Sequence, residues 1–226
     1  MENKIPLHIA FIMDGNGRWA DAKHLPKVKG HEEGARSVEA VINAALKAGV
    51  KYLTFYAFST ENWSRPKLEV TALMKLLSKT LDKFLKENRP DIKIIFSGRK
   101  APLPESVLKK MEKASSAEKP QAKLTVNLAV NYGARQEITD AVNKLLAQGK
   151  KEVTMNDISS ALYANLPDPD LIVRTSGEER LSNFLLWQAA YSEFYFTPVF
   201  WPDFKEEQFL LALKEYRHRQ RRFGGR

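Results

Sequence analysis

Apolar runs with strand character recur along the chain at residues 7–13, 52–58, 92–97, 124–130 and 171–173, and the stretches between them repeat apolar residues at a helical period. That alternation predicts an α/β fold in which a central, mostly parallel sheet is flanked by helices. One helix is expected at about 34–48, where Ala35, Val38, Val41, Ile42, Ala45 and Leu46 share a face and Gly49 supplies the stop. The next runs from Pro66 to about Asn88 and carries Val70, Leu73, Met74, Leu77, Leu81, Phe84 and Leu85 on one stripe. Such a stripe is first of all core, but a long apolar helix can also wall a tunnel between itself and the sheet. Further helices fit 104–117, 134–148, 155–164 and 205–222. No repeat, linker or low-complexity segment interrupts the pattern, so residues 1–226 read as a single domain.

A hydrophobic content of 43% in 226 residues is enough for one sizeable core. The apolar run nearest the N-terminus is broken by Asp14, and none approaches the roughly 18 residues that a membrane span needs. With no secretory leader pattern either, the expectation is a cytoplasmic protein. The absence of cysteine rules out disulfides and thiolate chemistry, and four histidines leave little for a zinc centre. Oxygen donors favour magnesium. A net charge of +9 points to an anionic partner: nucleic acid, phospholipid or a phosphorylated small molecule. The densest basic run, "RHRQRR" at 217–222, reads equally as a solvated helix end, where cations are well placed, or as a binding segment.

Ligands of an open parallel sheet lie beyond the carboxyl ends of its strands. There the chain places "DGNGRW" after the first run, "STENWSRP" after the second, "NYGAR" after the fourth and "RTSGEERLS" after the fifth. Gly15 and Gly17 let main-chain N–H groups approach an anion, and Arg18 adds a planar fork for phosphate oxygens. The stretch is not a Walker loop, since no GK[ST] follows, and it lacks the third glycine of the dinucleotide fingerprint. Asp14 would repel a bound phosphate unless a cation lay between them, so the loop reads either as a helix cap or as a magnesium-bridged diphosphate site. "STENWSRP" offers Ser59, Glu61, Asn62, Trp63 and Arg65 within seven positions, or else a polar loop whose tryptophan packs back on the core before Pro66 opens a helix. Arg174, Arg180 and Ser182 form a second set of anion donors, which suggests two phosphorylated substrates. His31 stands isolated in "KGHEEG"; Glu193 sits among aromatics in "AYSEFYF", where a buried carboxylate needs a partner and a metal would serve.

Together, "HIAFIMDGNGRWA", "GHEEGA", "YAFSTENWSRP", "VNYGARQEI" and "DLIVRTSGEERLSNFLLWQAAYSEFYFTPVFWPDF" closely resemble the cis-prenyltransferases over nearly the whole chain, most nearly the bacterial undecaprenyl diphosphate synthases. The resemblance implies a homodimeric, magnesium-dependent transferase that condenses isopentenyl diphosphate repeatedly onto farnesyl diphosphate, making cis double bonds. Its product would be undecaprenyl diphosphate, precursor of the lipid carrier of cell-wall synthesis. By position, the resemblance makes Asp14 the essential magnesium-associated aspartate, and Gly15, Asn16, Gly17 and Arg18 the loop that holds the allylic diphosphate. Trp19, His31 and Arg65 join that substrate site. Asn62 matches the residue proposed to help remove the proton from isopentenyl diphosphate, with Ser59, Thr60, Glu61 and Trp63 around it. Arg174, Arg180 and Ser182, with Leu181 between them, match the isopentenyl diphosphate donors, and Glu193 the second magnesium ligand. Arg222, Phe223 and Gly224 resemble an RxG motif that reaches the neighbouring subunit's site. Lys27 stands where many relatives carry an arginine, so charge is kept and the fork is lost. "PDPDL" at 167–171 is neither spaced nor placed like the DDxxD acids of trans-type synthases and reads as a turn before a strand.

Chain growth needs an apolar tunnel. Each buried methylene is worth roughly 0.8 kcal/mol, so a five-carbon unit gains about 3 to 4 kcal/mol, enough to retain an intermediate between cycles. The tunnel floor would set product length, and the small Ala57 on the second strand reads first as core packing and otherwise as a lining residue. A product this apolar implies transient contact with a membrane surface. The rival readings are a shorter- or different-length product, a non-catalytic partner subunit and a basic nucleic-acid-binding protein. Donors clustered at strand ends, with no recognition helix or stacking platform, disfavour nucleic acid as a partner.

Overall fold

The computed structural model describes residues 5–219. Six strands, β1 (His8–Ile12), β2 (Tyr52–Ser59), β3 (Ile92–Ser97), β4 (Leu124–Tyr132), β5 (Leu171–Arg174) and β6 (Glu193–Phe196), form one sheet in the order β3-β4-β2-β1-β5-β6. Every pairing is parallel. Among the described residues seven helices pack around it: α1 (Asn16–Ala22), α2 (Lys27–Ala48), α3 (Lys67–Glu87), α4 (Glu105–Ser115), α5 (Ala134–Ala147), α6 (Met155–Ala161) and α7 (Glu206–His218). Two short 3-10 turns, Thr60–Ser64 and Trp201–Asp203, follow β2 and precede α7.

Covering both faces of a parallel sheet buries its central strands and makes them largely apolar; all five residues of β1 are buried, His8 being the one polar residue among them. Alternate side chains go to opposite layers. Ile9 and Phe11 join the larger core with Val41, Leu53, Phe55, Trp201 and Phe209, whereas Ala10 and Ile12 join Tyr132, Ile172 and Phe184 on the other face. Phe11 stacks on Phe55 across the β1–β2 pair at 5.2 Å between ring centroids, so the register of the two innermost strands is fixed by bulky neighbours.

Elements that differ from the expectation include α1, a seven-residue helix absent from the expected set, and three others. α2 begins at Lys27, seven residues before the apolar pattern becomes regular, because Gly30 and Gly34 weaken the helical signal while serving the packing. They face the loop after β1: a Cβ on Gly30 would lie 1.9 Å from the Asn16 carbonyl oxygen, and one on Gly34 2.2 Å from Asn16 Oδ1. β6 was not expected at all, being four residues long at the sheet edge and marked only by the stacked pair Phe194 and Phe196. The last helix ends at His218, short of the expected 222, and the RxG residues Arg222, Phe223 and Gly224 lie outside the described residues.

Candidate active site

The chain places β2 on one side of β1 and β5 on the other, so the loops leaving β1 and β5 meet beyond their carboxyl ends, where such sheets bind ligands. Thr175 seals that junction: its hydroxyl accepts from the Asp14 N–H at 3.0 Å and lies 2.7 Å from the Asp14 carbonyl oxygen. Gly15 then turns with φ 98°, a left-handed conformation that favours glycine, with the Phe200 ring and the Ser176 hydroxyl packed against it.

The turn puts Asp14 at the centre of a chain of alternating charges. Its Oδ2 accepts from Arg174 Nη2 at 2.9 Å and its Oδ1 from Arg18 Nη2 at 3.2 Å. Arg18 Nη1 donates onward to Glu178 Oε1 at 3.0 Å, and Glu178 Oε2 accepts from Arg180 Nη1. The order Arg174, Asp14, Arg18, Glu178, Arg180 leaves one net positive charge. Burial pushes the Asp14 carboxyl up, but the bond from Arg174 and the charges of Arg174 and Arg18 outweigh it and hold the acid below its usual range. Arg174 is the buried member, its side chain 4% exposed; Nη1 donates to Ser182 Oγ at 2.8 Å and to the Arg180 carbonyl. Its Nε, Asn16 Oδ1 and Ser176 Oγ are buried without hydrogen-bond partners. Buried polar groups are satisfied almost everywhere in proteins, so the unpartnered Arg174 Nε–H and Ser176 hydroxyl, both at the end of β5, are donors left for a polar ligand.

Beside Asp14 opens a cavity of about 550 Å³. Asp14, Arg18, Lys27, His31, Asn62 and Arg65 line one part of its wall; Val38, Leu73, Met74, Leu77, Phe84 and Leu128 line another, between the sheet and helices α2 and α3. On α3 the lining residues run from Glu69 to Phe84, which at 1.5 Å per residue spans about 22 Å. Ala57 faces this space where the β2–β4 register slips between Tyr56 and Phe58, a bulge that turns its small side chain into the cavity. His31 is held below its ordinary value by burial first and then by Arg65 and Lys27, so its ring is uncharged at neutral pH. Asn62 closes a capping box on the 3-10 turn, its Oδ1 accepting from the Ser59 N–H at 3.1 Å, which leaves the Nδ2 donor for the cavity.

Residues 12–224 match the prenyltransferase family described as "Putative undecaprenyl diphosphate synthase". The chain belongs to this family. It is 51% identical to an isoprenyl transferase of Fusobacterium nucleatum, the match covering 100% of this chain and 98% of the relative. It is 49% identical to the ditrans,polycis-undecaprenyl-diphosphate synthase of Micrococcus luteus, named as (2E,6E)-farnesyl-diphosphate specific, over 98% of this chain and 92% of that one. The crystal structure of lavandulyl diphosphate synthase from Lavandula x intermedia, in complex with dimethylallyl diphosphate, superposes with a TM-score of 0.92 at 36% identity, covering 97% and 98% of the two chains.

Within this prenyltransferase, the residues of "DGNGR" line the cavity with Lys27, His31, Asn62 and Arg65, and Arg174, Arg180 and Ser182 join them through Asp14 and Glu178. Leu181 packs against the second core. Other expected site residues point elsewhere. Trp19 donates its indole N–H to Asp203 at 2.8 Å, with the Lys23 ammonium over its ring, and does not line the cavity. Trp63 donates to Asn131 at 2.7 Å and packs edge-on to Phe58, so it is the core-facing tryptophan of a polar loop. Ser59, Thr60 and Glu61 brace that loop, Glu61 accepting from Asn183 at 2.9 Å and from Thr60 at 3.0 Å. Glu193 lies apart from Asp14. It opens β6 level with Leu171 and Ile9, five residues before Asp14 along the strand direction or about 16 Å, and it pairs with Arg219 at 3.0 Å. A parallel edge strand begins at the far end of the sheet, which sets Glu193 apart from Asp14 within one chain.

Glu178, Thr175 and the two α2 glycines were not singled out from the sequence. The spacing of Gly30 and Gly34, four apart on one helix face, was a readable sign of close packing.

Proposed function

We propose that this chain is a cis-prenyl chain elongase, condensing isopentenyl diphosphate onto farnesyl diphosphate to undecaprenyl diphosphate. One observation carries the reading: a charged, partly unsatisfied anion site opens directly into an apolar-walled cavity that follows α3. Arg18, Lys27 and Arg65 face that cavity and suit the allylic diphosphate; Arg174, Arg180 and Ser182 suit the isopentenyl diphosphate.

Magnesium fits the donors present. Asp14 is a hard oxygen ligand at the cavity wall, and among the described residues no cluster of three acids or imidazoles forms a cage. Asp14 would hold the ion, with few further protein ligands, as is usual for magnesium. When bound, the ion supplies positive charge to the departing diphosphate. The chain's own part is to aim Arg18, Arg65 and Lys27 where negative charge grows as the allylic C–O bond breaks. Asn62 orients by donation. A neutral amide is too weak a base to take the proton, and its carbonyl oxygen is held by the Ser59 N–H. A neutral His31 adds a hydrogen-bonding group without adding charge. Two copies of the chain, and a membrane surface that receives the product at the cytoplasmic side, complete the proposal.

The deciding assay incubates the protein with farnesyl diphosphate, labelled isopentenyl diphosphate and magnesium and sizes the lipid formed. The expected outcome is a ladder ending near eleven isoprene units; no extractable label would overturn the proposal.

A further inference from the structure

Glu178 has no task in the reading above, yet its two carboxylate oxygens hold two guanidinium groups assigned to two different diphosphates: Oε1 accepts from Arg18 at 3.0 Å and Oε2 from Arg180. Its position is set by backbone. Just before it, Ser176 and Gly177 turn left-handed with φ 79° and 70°, and their N–H groups donate to Val199 O at 2.8 Å and Thr197 O at 2.9 Å. The loop carrying Glu178 is thereby tied to the segment that follows β6.

To an arginine, a carboxylate and a phosphate are alternative ligands, since both take the planar fork through charge-assisted hydrogen bonds. They repel each other and compete for it. Repeated condensation leaves one pyrophosphate per cycle, which must depart before the next unit enters. We propose that Glu178 is an internal competitor for Arg18 and Arg180, a positioning residue that weakens the hold on free pyrophosphate and speeds its exchange between cycles. The inference rests on the assignment of two diphosphates to these arginines. Removing the Glu178 charge would raise the five-member chain from one net positive charge to two.

The test is calorimetric titration of inorganic pyrophosphate into the whole protein without metal, for the wild type, Glu178→Gln and Glu178→Ala. Both variants should bind about three- to tenfold more tightly at low salt. The gain should close at high salt, because the side chains of Arg18, Glu178 and Arg180 are 46%, 26% and 61% exposed and therefore screened. In turnover, Glu178→Gln should lower the KM for isopentenyl diphosphate and kcat together and sharpen inhibition by added pyrophosphate. Equal or weaker pyrophosphate binding in both variants would overturn the inference, since a residue that merely aligned the arginines would weaken binding when removed. Wild-type protein that bound no pyrophosphate even when the titration is repeated with magnesium would instead overturn the two-diphosphate reading itself.

Discussion

Asp14 answers to two demands, one structural and one chemical. It is the counter-charge of the buried Arg174, and the same carboxylate faces the cavity. Because its folded pKa lies below the ordinary 3.8, its contribution to stability is present above that value and is lost as pH falls through the lower folded one. At neutral pH it is fully ionised and available to a cation. Asp14→Ala should reduce prenyl transfer by at least about a hundredfold. It should also lower the melting temperature, because Arg174 is left buried and unpaired; retained turnover would remove Asp14 from the chemistry. Arg174→Ala should raise the KM for isopentenyl diphosphate well above tenfold with a smaller effect on farnesyl diphosphate. Equal effects on both substrates in steady-state kinetics would contradict two separate diphosphate positions.

The elements are joined by contacts that leave no slack. A buried chain of hydrogen bonds crosses four strands in one direction. Ser97 Oγ donates to Asn127 Oδ1 at 3.0 Å and Asn127 Nδ2 to Thr54 Oγ1 at 3.4 Å. Thr54 Oγ1 lies 2.8 Å from His8 Nε2, and His8 Nδ1 lies 2.6 Å from the Pro167 carbonyl. Since that carbonyl only accepts, Nδ1 carries the proton and Nε2 must accept from Thr54. Burial pushes the His8 imidazole from 6.5 down to about 4, so the unfolded chain takes up a proton across that interval while the folded one does not. Acidification from pH 6.5 to 4 should therefore cost roughly 3 kcal/mol of stability through this residue. Urea melts at pH 7 and 4.5 should show that loss, and His8→Gln should flatten the dependence. The α2–α1 contact is tighter still. Gly30→Ala places a methyl against backbone and should destabilise the protein by about 2 to 3 kcal/mol in urea unfolding, distorting the loop that holds Asp14.

For the whole molecule, the cavity along α3 is the feature that relates shape to product. Ala57→Leu adds a branched side chain at the bulge and should shorten the mean product by one or more isoprene units, read as a shift in the lipid ladder; an unchanged ladder would place the growing chain elsewhere. The alternation of strand and helix, the parallel sheet and the chemistry of the loops at strand ends were legible in the chain, because hydrophobic period and residue type are local properties. β6 and the early start of α2 were not, since a four-residue edge strand carries little pattern and glycines hide a helix that packing enforces. The site divided in the same way. The types of group needed, an acid, glycines and two sets of arginines, followed from sequence alone. Which of them meet was decided by strand order, which brings Asp14 to Arg174 across 160 residues, sets Glu178 between two arginines, sends Glu193 to the other end of the sheet and turns both site tryptophans away. Strand order and register are fixed by long-range packing of side chains in two cores, a cooperative property of the folded chain that no local stretch contains.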